Sequence, residues 1–186
     1  VGVSVPYVYR RFEDRAAGID ETDSGIGDGR LYAKYRLVPE TRFVPAVAGD
    51  GFLKLPTGDE DEGLGNGEAD VTVGLPVSKR FSAVSVHVNP EYTFTGGGKS
   101  DIGPPADNRA NLNAGIMYHA TAKFVPMAEV NALWWGDVGD RTEVGGGVLW
   151  FPAETVSLKT AVSVPVDADL PWQADWAPWV KLATWF

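Results

Sequence analysis

The chain has no cysteine, so it can form neither a disulfide framework nor a thiolate metal site. It has no run of about 18 apolar residues, which excludes a transmembrane helix. Basic residues are in the minority. The net charge of -9 argues against nucleic acid, whose phosphates demand a basic face. A signal peptide is also lacking: Val1 opens directly on the alternation VGVSVPYVY, as expected of a mature form or a fragment of one. With 186 residues, one domain spanning 1–186 is expected, and no cofactor is indicated.

What is abundant is glycine (22), proline (13) and tryptophan (7), with 44% hydrophobic residues. Such composition reads either as disorder or as many short strands with turns, and the aromatic content excludes disorder. Strict two-residue alternation recurs along the chain. From Val84 to Phe94, the set Val84, Val86, Val88, Pro90, Tyr92 and Phe94 opposes Ser85, His87, Asn89, Glu91 and Thr93. Val156–Val166 and Asn111–Ala120 repeat the pattern. Ten such segments fall at 1–10, 27–38, 43–55, 69–80, 83–95, 110–122, 124–135, 141–151, 155–166 and 176–186. Their length suits the roughly 9–11 residues with which a tilted strand crosses a bilayer.

The connections alternate. Val38–Thr41, Phe81–Ser82, Lys123 and Pro152–Glu154 are short, whereas 11–26, 56–68, 96–109 and 167–175 are long; 136–140 is the short exception. Tight turns on one side and longer loops on the other are the pattern of an outer-membrane barrel, with both chain ends periplasmic. Aromatics sort accordingly. Tyr35, Phe43, Phe81, Phe124, Trp150 and Phe186 fall at one set of strand ends, and Tyr7, Tyr9, Tyr92, Phe94, Trp134 and Trp176 at the other. Interfacial girdles explain that sorting. The expected fold is an all-β, transmembrane, antiparallel up-and-down barrel with ten visible strands in the bacterial outer membrane. Pro6, Pro45, Pro76, Pro90, Pro126, Pro165 and Pro178 cut against a regular sheet, since each removes one ladder donor.

Three stretches, SGIGDGRLYAKYRL (Ser24–Leu37), LKLPTGDEDEGLGNGEADVTVGLPVSKRF (Leu53–Phe81) and HVNPEYTFTG (His87–Gly96), resemble the outer-membrane transporter family of the phenol-degradation meta-pathway. Lys54–Gly58, the Gly65/Gly67 turn followed by Asp70, and the terminal Phe186 carry most of the match. The resemblance implies a single-chain barrel passing small hydrophobic or aromatic compounds. It also implies one or two strands before Val1, hence twelve in a full protein. Phe186 resembles the signal read by the barrel-assembly machinery, and membrane lipid and lipopolysaccharide are the expected surroundings.

Several local patterns invite chemistry. Gly96–Ser100 looks like the tail of a phosphate loop, but Thr93 stands where a glycine is needed and no helix follows. Asp59 and Asp61, in the run Asp59–Glu62, offer a weak divalent site without calcium-loop spacing. Ser85, His87 and Glu91 share a strand face and raise a lipid-modifying enzyme as an alternative; the spacing favours polar lining and no catalysis. His119 reads likewise as a lumen or turn residue.

Charge is the informative pattern. Taking the apolar register as lipid-facing, strands one to three and nine to ten turn Arg10, Arg30, Lys34, Arg36, Lys54, Lys159 and Lys181 inward, with Asp50 the exception. The middle strands turn Asp70, His87, Asn89, Glu91, Asn111, Asn113, Glu129, Asn131 and Glu143 inward, and no Lys or Arg. This predicts a basic wall facing an acidic and amide-rich one across a narrow pore for small solutes. The alternative is a closed structural or interaction barrel that presents its loops, with these charges forming a packed plug.

Overall fold

A computed structural model of the chain describes residues 1–14, 19–96, 107–168 and 177–184, with 10–14, 19–21, 168 and 177–184 as backbone only. The described residues are all-β. The strands are β1 (Gly2–Ser4), β2 (Tyr7–Asp14), β3 (Ile19–Ile26), β4 (Gly29–Val38), β5 (Ala46–Leu55), β6 (Asp70–Gly74), β7 (Val77–Phe81), β8 (Val84–Phe94), β9 (Arg109–Tyr118), β10 (Phe124–Trp135), β11 (Gly139–Ala153), β12 (Val156–Ala168) and β13 (Ala177–Thr184). Every pairing is antiparallel, and the main sheet runs β1-β4-β5-β6-β8-β9-β10-β11-β12-β13, with β7 between β5 and β8. Among the described residues no pairing joins β13 to β1.

Thirteen elements make ten passes, because three breaks fall within continuous runs of chain. β6 and β7 are one strand interrupted at Leu75-Pro76. Leu75 N–H donates to Pro90 O (3.1 Å) and Ala48 N–H donates to Pro76 O (2.9 Å), but neither proline returns the second bond of its pair. The register is the same on both sides of the gap, so the prolines cost two donors and nothing more. Pro165 pairs with Glu143 where β11 and β12 slip register. Pro6 separates β1 from β2.

There the pairing shifts by one residue: Ser4 opposes Arg30 while Tyr7 opposes Ile26. The bulge holds Gly27 and Asp28, and Gly27 N–H donates to Pro6 O at 2.9 Å.

Residues 11–26, expected as a loop, are instead largely a hairpin, with β2 and β3 forming a separate two-stranded sheet. Its sequence, polar in both registers, carries no one-sided alternation, so the strands left no periodic signal. The tip at 15–18, most of the 96–109 connection and most of 167–175 lie outside the described residues.

Burial is inverted relative to a water-soluble protein. Only Leu64, Val125 and Ala161 are buried hydrophobics among the described side chains, while Asp70, Ser85, Thr93, Ser157 and Ser163 are buried. Along β12, Ser157, Ala161 and Ser163 are buried, whereas Val162 and Val164 are 48% and 40% exposed. On β12, as on β6 and β8, the polar register holds the most covered residues and the apolar register the open ones, whereas on β4 both registers are exposed after Gly29.

Candidate functional site: the polar face of the sheet

The polar face is built on the two-residue period, and its charges are held by the strands that flank them. At one end, Lys54 on β5 reaches Asp28 (2.9 Å) and Asp70 (3.5 Å) and also contacts Asn66. Asp70 extends the chain of charges to Arg109 (3.7 Å), whose guanidinium lies 5.4 Å from the centre of the Trp135 ring. The connection 56–69 is drawn onto this cluster. Thr57 Oγ1 accepts from Gly29 N–H (2.7 Å) and donates to Gly27 O (3.0 Å), and Gly58 N–H donates to Asp28 Oδ1 (3.1 Å). The bulge at Gly27–Asp28 is what aims that carboxylate.

A cavity of about 220 Å³ lies beside this cluster, lined among others by Arg30, Phe52, Lys54, Glu91, Arg109 and Asn111. A second, of about 240 Å³, gathers His87, Asn89, Asn113, Glu129, Asn131 and Lys159. Lys159 on β12 meets Glu129 on β10 at 3.6 Å across the intervening β11. Gly145 permits this reach, since a Cβ there would press on the Glu129 side chain at 3.3 Å. Lys34 lies 3.7 Å from Asp50 across the β4–β5 pair.

Most of the predicted lining residues therefore fall into one of two cavities. Lys34, Arg36 and Glu143 fall in neither. Lys181 is in register with Lys159, but its side chain lies outside the described residues, as do Arg10, Trp176 and Phe186.

The expected absence of Lys and Arg from the middle strands fails at three positions, the first being Arg80, which pairs with Ser85 near the β7–β8 turn and shares its face. Arg141 stands two residues before Glu143 on β11 and forms an ion pair with it, so both face one way. Arg109 opens β9 one residue before the expected segment and reaches Asp70. The charges form pairs within a strand (Arg141–Glu143), between adjacent strands (Lys34–Asp50, Lys54–Asp70) and across one intervening strand (Asp70–Arg109, Glu129–Lys159), as expected where an unpaired buried charge is costly. Asp28, Arg109 and Arg141 are the site residues that the sequence reading missed. For Arg141 the signal was available in its parity with Glu143.

The other candidate chemistries resolve locally. Ser85 Oγ is 2.8 Å from His119 Nε2, so its partner is His119 on the neighbouring chain segment rather than His87 on its own strand. Asp59 Oδ1 accepts the backbone N–H groups of Asp61 (3.0 Å) and Glu62 (3.3 Å), which makes it a turn cap. Among the described residues no three His, Asp or Glu side chains gather to hold a metal. Residues 97–100 of the Gly96–Ser100 run lie outside the described residues.

Fold and face together define a class: an antiparallel ten-pass meander that covers its polar register and exposes its apolar one. The family described as "Putative MetA-pathway of phenol degradation" matches residues 1–175, and the chain belongs to it. No curated protein matches the chain.

Proposed function

We propose that this chain is an outer-membrane β-barrel that passes small solutes without catalysis. The sheet closes edge to edge into a barrel, because an open strand edge leaves backbone donors and acceptors unmet in hydrocarbon. The observation that carries the reading is the inverted burial. Val162, Val164, Ile116 and Val130 are 40–49% exposed, while Asp70 and Thr93 are 5% and 2% exposed. In water that arrangement would be an aggregating surface around a costly polar interior. In a bilayer, both faces have a suitable solvent.

The exposed aromatics support the same orientation. Phe81, Tyr118, Phe124 and Trp150 stand near the short turns, while Tyr92, Phe94 and Trp134 stand at the opposite strand ends. The family description is consistent with aromatic solutes, and the Phe52 ring among the charges of the first cavity offers them a surface. Ten visible strands, or twelve with a hairpin before Val1, lie between filled eight-stranded barrels and open porins, so the passage is narrow.

A closed barrel is the second reading. It is favoured by the pairing of Lys54, Asp28, Asp70 and Arg109 into one cluster. Single-channel recording of refolded protein in planar bilayers separates the two. Discrete conductance steps are expected; a silent bilayer, with the protein resistant to added protease, would leave the closed barrel.

A further inference from the structure

Among the described residues, two oxygen atoms on the polar face are buried without a donor: Asp50 Oδ1 and Asn89 Oδ1. The Asp50 side chain is only 7% exposed. Its other oxygen faces Lys34 at 3.7 Å, and that lysine is 56% exposed, so its ammonium stays largely in solvent. Asn89 donates its Nδ2 hydrogen to Glu91 Oε1 at 2.5 Å, which leaves its carbonyl oxygen free.

The register brings the two carboxylates together, and Asn89 joins them only through its bond to Glu91. Asp50 opposes Gly74, and Gly74 opposes Glu91, so two carboxylates flank one glycine in a single row. Their Cα atoms are about 10 Å apart, two strand spacings, and only a residue without a side chain lies between. A Cβ on Gly74 would overlap Asp50 Oδ1 and crowd Glu91 Cγ at 3.2 Å. The missing side chain is what lets the Asp50 carboxylate lean over Gly74 toward Glu91.

We infer that Asp50, Glu91 and the Asn89 carbonyl form a binding site for a small monovalent cation, either an alkali ion or the ammonium head of a primary amine. The unmet atoms are acceptors, so the missing partner brings positive charge or donors. Two carboxylates and Lys34 sum to one negative charge, which a monovalent cation neutralises and a divalent one overshoots. Calcium would also ask for six to eight oxygens, more than converge here. An anion is repelled by the same sum. The site rests on the reading of the polar face as a wet interior, but its occupancy needs no conductance.

The experiment is thermal unfolding of the refolded chain in zwitterionic detergent at one ionic strength. The chloride salt is varied among sodium, potassium, methylammonium and tetramethylammonium. The last has no N–H donor and is the bulkiest of the four. A saturable rise in Tm of about 2–4 °C over tetramethylammonium is expected at several-fold excess of cation over Kd. Sodium or potassium giving the rise identifies an alkali-ion site; methylammonium alone giving it identifies an amine site. Asp50→Asn and Glu91→Gln should each abolish the rise, and Glu154→Gln, in the β11–β12 turn, should keep it. Equal melting in all four salts would mean that water fills the space and would overturn the site, as would a rise that survives both substitutions. If Asp50→Asn does not refold, Glu91→Gln and the wild-type salt series decide. A silent bilayer with an intact salt effect would sink the pore and leave the site standing.

Discussion

Val162 shows what a single position on the apolar face is worth. It pairs with Gly146 and Pro178, lies mid-strand and is 48% exposed. If that face meets lipid, Val162→Arg places a guanidinium near the bilayer midplane and should cost about 2–4 kcal/mol in a lipid-vesicle folding assay. A neutral effect would mean the face is in water. Ser82 offers the opposite sign. It is the one described non-glycine residue with positive φ (55°), in the tight turn between β7 and β8. Ser82→Gly relieves that strain at some entropic cost, for a net gain of about 0.5–1 kcal/mol, measurable as a shift of the denaturant midpoint.

At the scale of elements, two side chains tie connections to strands across the fold. Thr57 anchors the 56–69 connection to the backbone of Gly27 and Gly29. Thr57→Val keeps the shape but leaves the Gly29 N–H unpaired, a loss of about 1–3 kcal/mol. Faster hydrogen exchange at Gly29 and Gly58, with strand amides unchanged, is the expected readout. On the side of the short turns, Glu40 accepts the Arg80 N–H (3.0 Å) and lies 3.3 Å from Lys79. The Arg80 bond is the main cause holding its carboxyl below the ordinary range; slight desolvation opposes it and Lys79 assists. A depressed carboxyl contributes stability that is complete above its unfolded value and lost as pH falls through the folded one. Glu40→Gln should therefore lower stability at neutral pH and converge with wild type in acid, which flattens the acid limb of the pH–stability curve; an unaltered curve would show the tether to be inert. The ten passes were legible because one-sided alternation survives wherever one face is apolar. The β2–β3 hairpin was not, because Arg10–Asp23 is polar in both registers and a strand with two wet faces has no period to read.

For the molecule as a whole, alternation assigns the face of each residue, but only strand register says which charges meet. Alternation in the sequence turns Lys34, Lys54, Glu91 and Glu129 toward one face. It could not show that Asp28, displaced by a bulge, would reach Lys54, nor that Arg109 would cap Asp70. Two lysines that look equivalent on paper therefore have different roles. Lys54 is 13% exposed between Asp28 and Asp70, whereas Lys34 is 56% exposed with a single partner at 3.7 Å. Lys54→Met strands two buried carboxylates and should cost about 3–5 kcal/mol, the range for breaking a buried pair. Lys34→Glu should leave folding nearly intact, since exposed pairs are worth about 0–1 kcal/mol. In a conducting barrel, however, it reverses a charge that faces the solvent path, and the reversal potential under a salt gradient should move toward cation selectivity. If Lys34→Glu unfolds the chain while Lys54→Met is silent, the assignment of structural and solvent-facing charge is inverted. If both fold and neither alters selectivity, the ions do not pass along this face.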